Sequence, residues 1–408
     1  MNPAAARLVR ALRSRNFRLF FTGQGISLVG TWLTRFAMAY ETYQLSHSAL
    51  QLGLVAFASQ APTAVIAPVA GVLADRWNRH RALVITQLAA MAQSAALAGF
   101  ALTGTMTVWH LIALGVLQAV INAFDMPVRQ SFVRQMVDDR ADLPNAIALN
   151  SSLVNVARLI GPVVAAVLVD AVGVGWCFAL DSASYLAVIG SLLAMRVATP
   201  PVRGRDQRVL DELRDGVRYV RGMPLIRDLL LLFAVTGTFG GAYSSLLPAV
   251  AEGTLHGGPH ALGLLMGAAG AGALVGALYL ASREGTEGFL GVISQCGLWL
   301  GGGLIALEAA PRVWLAVPIL FVLGMALIVQ WAATNTLAQT LVDDDKLGRV
   351  ISLYAVVFFA GAPVGALLEG ALATWIGPIH TFAVAGAACI ACSLGFRRAV
   401  AGATTASR

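Results

Sequence analysis

The chain has 408 residues, 58% of them hydrophobic and 12% charged, with a formal net charge of +7 and a mean hydropathy of +0.74. A soluble domain carries about 25% charged residues, so this composition excludes a soluble enzyme or binding domain and points to an integral membrane protein. The positive charge does not indicate nucleic acid. Arg35 and Arg158 lie inside apolar runs and Arg312 in a loop read as external, while every other basic residue sits at a terminus or in alternate loops. That is the positive-inside bias of a multi-pass protein of the plasma membrane (the inner membrane, in a bacterium) with both termini in the cytoplasm.

About 20 apolar residues cross a bilayer. Twelve such segments are predicted, near 17–40, 50–74, 82–103, 107–127, 145–170, 175–197, 228–250, 261–282, 286–307, 313–335, 349–374 and 378–398. The first follows Arg7, Arg10, Arg13 and Arg15 but runs on without a small-residue cleavage site, so it reads as a retained span. One connection is long. It contains Pro200 and Pro201, then Leu210, Leu213, Val217, Val220 and Leu225 near helical spacing with Arg214, Arg218 and Arg221 between them. It reads as a basic amphipathic helix on the cytoplasmic surface. The predicted organisation is a six-helix bundle over 1–197, a linker over 198–227 and a second six-helix bundle over 228–408. Cys389 and Cys392 form a C-x-x-C inside an apolar span and read as core residues, not a redox or metal pair.

The turn between segments 2 and 3 reads GVLADRWNRHRAL over 71–83, with Asp75, Arg76, Arg79 and Arg81 packed together. Charges this dense belong at the water interface. Gly71 permits close helix approach, and Asn78 is read as a residue tolerant of a left-handed turn. The two halves also repeat. Gly71-x-Leu73 recurs as Gly276-x-Leu278 and Val137-Asp138-Asp139 as Val342-Asp343-Asp344, both 205 residues on, and Gly161-Pro162 recurs as Ala362-Pro363. Two parallel six-helix repeats around a midplane site are a transporter architecture.

The 71–83 turn resembles the loop 2–3 signature of the major facilitator superfamily, with Gly71, Leu73, Ala74, Asp75, Arg76, Arg79 and Leu83 matching and Asn78 and His80 departing. Asn122 to Gln130, Asn145 to Asn150 and Ala157 to Pro162 resemble the bacterial branch of enterobactin exporters and drug–proton antiporters. The resemblance implies an all-α fold of twelve transmembrane helices, export of a small organic molecule and drive by the proton gradient. It implies a cytoplasmic gate of Gly71, Asp75, Arg76, Arg79 and Asp125, with Arg76 or Arg79 pairing Asp125. Gly115 stands where the drug antiporters carry an Arg before Gln118, and Asn155, Ala157, Ala165 and Ala166 surround Gly161-Pro162; both departures weigh against antiport though not against transport.

An ionisable side chain inside a span costs at least ~2.5 kcal/mol on insertion scales, so each is a functional candidate. Gln24, Ser27, Thr31 and Arg35 share a face of segment 1. Arg35 reads either as a cavity cation for an anionic substrate or as a residue reaching the headgroups. Gln118, Asn122 and Asp125 share a face of segment 4, and Ser151, Asn155 and Arg158 one of segment 5. Asp181, beside Ser184 and Tyr185, is the first candidate for proton coupling, with Arg35 and Glu41 behind it. Glu252, Glu308 and Glu369 are read as interfacial, Glu369 as a reserve coupling candidate. The second half offers Tyr243, Gln330, Thr334, Asn335, Tyr354, Phe358 and Phe359 as a cavity wall suited to an amphiphilic organic compound. No ATP loop, metal cluster or catalytic constellation is legible, so neither enzyme, cofactor nor metal is expected. The expected function is alternating-access export of small hydrophobic or siderophore-like compounds by a monomer, by proton antiport. The competing readings are an uncoupled facilitator or importer and, from another class, a transporter-like receptor or lipid scramblase.

Overall fold

The computed structural model describes residues 10–196, 217–283 and 285–406, and side chains throughout these except at 68–69, 71–76, 344–345 and 403–406. Most of the amphipathic linker therefore lies outside the described residues, as do the side chains of Gly71, Asp75 and Arg76 in the gate. Among the described residues the regular structure is helical throughout. The long helices are α1 (Arg15–Ser46), α2 (Ala49–Ala58), α3 (Ala61–Arg76), α4 (Arg79–Leu102), α5 (Val108–Met136), α6 (Leu143–Val172) and α7 (Val174–Ala194). They continue with α8 (Pro224–Val235), α9 (Gly258–Ala281), α10 (Phe289–Glu308), α11 (Val313–Leu341), α12 (Asp344–Ile376) and α13 (Pro378–Ala406).

Eleven helical stretches among the described residues are long and apolar enough to cross a membrane. The twelfth predicted segment is α1. At 32 residues it is ample in length, but the polar row Gln24, Ser27, Thr31, Thr34 and Arg35 lowers its hydropathy. All twelve predicted segments are thus helical for most of their length, eleven of them long and apolar enough to cross a membrane, and the fold is that of two six-helix repeats. The repeat is visible in the packing: segment 3 lies along segment 6 (α4 on α7), and segment 9 along segment 12 (α10 on α13).

Two segments are less regular than predicted. Segment 2 breaks at Ser59–Gln60 into α2 and α3, because Pro62 supplies no N–H to the preceding turn. Segment 7 leaves the α conformation after α8. A π-helical turn at Thr236–Gly240, a 3-10 turn at Ala242–Ser245, a short α turn at Leu247–Ala249 and a second π turn at Val250–Thr254 follow one another. Gly237, Gly240, Gly241 and Pro248 account for the unwinding, and such turns concentrate at functional sites. Asn78 also differs from expectation. Its φ is −66°, and its side chain caps α4 by accepting from the Arg81 amide at 3.1 Å. The left-handed conformation among described non-glycine residues falls instead to His47 and His256.

The chain divides into two compact units, Met1–Glu41 with Pro62–Gln207, and Thr42–Ala61 with Arg208–Arg408. So α2, placed in the first bundle by the sequence, packs with the second unit against α12. The reason is a pair of glycines. A Cβ at Gly53 would lie 2.3 Å from the Ala366 carbonyl oxygen, and one at Gly370 would lie 2.8 Å from that of Ala49. Small residues at both positions let the two backbones touch.

Candidate substrate and coupling site

In the first unit α6 closes onto α1 at Gly161, where a Cβ would meet the Trp32 Cβ at 2.3 Å. Two guanidiniums lie over the Trp32 ring. The Arg35 guanidinium carbon is 5.0 Å from the ring centroid and that of Arg158 is 5.6 Å away. Arg35 is exposed, Trp32 and Arg158 are half-buried, and Arg35 feels both Arg158 and Tyr185. Tyr185 is buried within hydrogen-bonding reach of Thr31. Each cation over the indole gains about 0.5–2 kcal/mol according to its exposure, which offsets the repulsion between the two. At 1.5 Å per residue Arg35 lies roughly 17 Å before the C-terminal end of α1. The result is a positively charged aromatic platform on α1 and α6.

Sequence reading found Arg35, Arg158, Thr31 and Tyr185 but missed Trp32. The available signal was its position one helical turn before Arg35. The other first-unit candidates are turned towards their own helices. Gln118 donates to Asn122 at 3.1 Å and Asn155 to the Ser151 carbonyl at 3.0 Å. Gln24 is 4% exposed with its Oε1 unpartnered.

In the second unit Tyr354 stacks on Phe233 at 4.5 Å, and its hydroxyl donates to the Trp331 carbonyl at 3.1 Å. Phe358 adds to this wall, 5.0 Å from Trp331 and 5.2 Å from Phe359. Tyr243 is buried and Asn335 accepts from Gln339 at 3.0 Å. Gln330 is fully buried, with neither amide atom partnered, near the Cβ position of Gly297 in α10.

Three carboxylates are buried among the described residues, and they differ in how well they are satisfied. Asp125 accepts from Thr86 at 2.9 Å and Gln87 at 2.7 Å on Oδ1, and meets Arg129 at 3.1 Å on Oδ2. Its described partners thus come from α4 and its own helix. Asp181 accepts from Thr34 at 2.7 Å and Ser94 at 2.9 Å on Oδ2, which ties α1, α4 and α7 together, while Oδ1 has no partner. The neighbouring serines do not bond to its carboxylate: Ser182 donates to the Met91 carbonyl and Ser184 to that of Asp181. Glu369 has no partner on either oxygen and is 1% exposed, not interfacial. Glu41 is half-buried, and Glu252 and Glu308 accept from Gln44 and His380.

Asp125→Ala is expected to leave Gln87 and Arg129 without their acceptor, at about 1–3 kcal/mol for each abandoned donor. The thermal unfolding midpoint of the purified variant should fall by several degrees; an unchanged midpoint would contradict the role of Asp125 as a clamp.

Two six-helix repeats, a cationic aromatic platform within the span and an unwound helix in the opposite repeat define a transporter of the major facilitator type. A family model described as transmembrane secretion effector matches residues 8–405, and the chain belongs to that family. It is 27% identical over 373 residues to the enterobactin exporter EntS of Citrobacter koseri, covering 91% of this chain and 88% of that one. It is 26% identical over 372 residues to the enterobactin exporter EntS of Shigella boydii, with the same coverage. Among solved structures, a mutant of the nucleoside transporter NupG superposes with a TM-score of 0.74 at 12% identity, over 96% of this chain and 99% of that one. A bacterial homolog of the human lysosomal transporter Spinster gives 0.68 at 15% identity over 95% of each. These two likenesses concern the fold alone.

Proposed function

We propose that the protein exports an aromatic organic solute rich in oxygen acceptors or negative charge, of the siderophore type, across the bacterial inner membrane by alternating access. The observation that carries this reading is the pair Arg35 and Arg158 on Trp32. Guanidiniums donate in a planar fork to carboxylate or phenolate oxygens, and the indole offers a face for an aromatic ring. The relation to enterobactin exporters supports the direction and the solute class. Proton antiport is the proposed coupling, with both termini cytoplasmic. Arg35 then serves the solute, which leaves the buried acids to carry the proton.

The purified protein is expected to bind enterobactin and to show no measurable binding of the cationic dye ethidium, measured by isothermal calorimetry in detergent. A cationic drug is repelled by two arginines that an acceptor-rich ring satisfies. Tight ethidium binding with none for enterobactin would overturn the assignment of the platform.

A further inference from the structure

Of the three buried carboxylates, Glu369 is the one that no described residue satisfies. Its place on α12 explains its burial. Gly361 and Gly365 form one row of that helix, and a Cβ at Gly365 would fall 1.7 Å from the Thr238 carbonyl oxygen in the first π turn of segment 7. Ala366 and Gly370 form the adjoining row, in backbone contact with α2 at Gly53 and Ala49. On the helical wheel Glu369 falls between the two rows. Unwound segment 7 therefore covers it on one flank and α2 on the other. From α13, Cys389 lies near Glu369, and its Sγ lies 3.4 Å from the Cβ position of Gly240.

The ionisable residues around it are few. α2, the first π turn and α11 contribute none. The 3-10 turn brings Tyr243. α13 brings Cys389 and, further along, Cys392, and at its first turn His380, which is engaged with Glu308. α8 brings Arg227 and Asp228, which pair with each other at 2.8 Å. None of these cations bonds to Glu369. An ionised carboxylate with neither a described partner nor exposure is costly to hold inside a span.

We propose that Glu369 is the proton-binding site of the transport cycle: it holds a proton on its carboxylate while α2 and segment 7 cover it, and releases that proton to water when the cover lifts. This rests on the antiport reading above. The cover has the construction of a part that moves. Its seams include points where backbone meets backbone at glycines. α2 continues through Ser59–Gln60 into α3, which belongs to the other unit, so a cycle that moves the units pulls on α2. Asp181, held by two donors, then acts as a clamp between helices and not as the carrier.

The test needs no transported solute. The full chain in lipid nanodiscs is examined by infrared difference spectroscopy between acid and alkaline buffer. The wild type is expected to show loss of a protonated-carboxyl C=O band at high pH. That band should be absent in Glu369→Gln, shifted in Glu369→Asp and retained in Asp181→Asn. Glu369→Asp keeps a carboxyl one methylene shorter, so it still reports if the Gln variant fails to fold. A band that persists in Glu369→Gln, or one lost instead in Asp181→Asn, would overturn the proposal. So would a spectrum that responds to sodium and not to pH. If the band belongs to Glu369 yet enterobactin moves across proteoliposomes without protons, the antiport reading fails and the proton site stands. If enterobactin moves protons equally well in Glu369→Gln, antiport stands and this site fails.

Discussion

Replacing Arg35 by Gln is expected to weaken enterobactin binding about tenfold to a hundredfold, with Arg158→Gln in the same range and the double variant near background. The physical basis is the loss of charge-assisted hydrogen bonds, each about 1.5–3 kcal/mol, where 1.4 kcal/mol is tenfold in affinity. Arg35→Lys should fall between wild type and Arg35→Gln. Lysine keeps the charge but neither the bidentate fork nor the stacking on Trp32. The two arginines touch one ring, so their effects should be non-additive. Calorimetric titration of the five proteins checks this. Equal affinities for wild type and Arg35→Gln would place the solute elsewhere.

Gly365→Val should be the most damaging single change in the second unit. The Thr238 carbonyl oxygen occupies the space a side chain would need, 1.7 Å from the Cβ position. The obstruction is backbone, which cannot swing aside like a side-chain tip. Overpacking costs about 1–3 kcal/mol and more where the backbone must move, and here α12 must separate from the π turn of segment 7. The expected result is a large fall in the unfolding midpoint, or failure to recover folded protein. Gly302→Ala is the matched control. No atom lies within 4 Å of its Cβ position, and alanine removes the helix penalty of glycine, up to about 1 kcal/mol. Equal midpoints for the two variants would contradict the seam.

Much of this architecture is legible in the sequence because the bilayer imposes strong rules. A span must be long and apolar, and arginines must cluster on one side, so twelve segments and their repeat can be read directly. What polar residues do inside the spans is harder to read. The row Gln24, Ser27, Thr31 and Arg35 is visible from spacing, since it lies on one helix face. Trp32 is on a neighbouring face, and only the approach of Gly161 brings it into the site. Asp181 is visible as an intramembrane acid, but its donors Thr34 and Ser94 come from helices distant in sequence. Glu369 sits near a helix end, where acids are ordinarily solvated. Its burial comes from the close approach of segment 7 and α2 to small residues of its own helix, Gly365, Ala366 and Gly370, a tertiary effect that no local pattern encodes. Segment 7 reads as an ordinary helix because its glycines lie in an apolar run, and their unwinding depends on the close approach of Gly361 and Gly365 from α12.

The central claim is that an aromatic solute and protons exchange across the membrane on this protein. The most direct measurement is internal pH in proteoliposomes holding a pH dye, under an imposed proton gradient, on addition of enterobactin. The account predicts proton movement that depends on enterobactin, needs about tenfold to a hundredfold more enterobactin in Arg35→Gln, and is uncoupled in Glu369→Gln. Enterobactin crossing at the wild-type rate with no change of internal pH would contradict it.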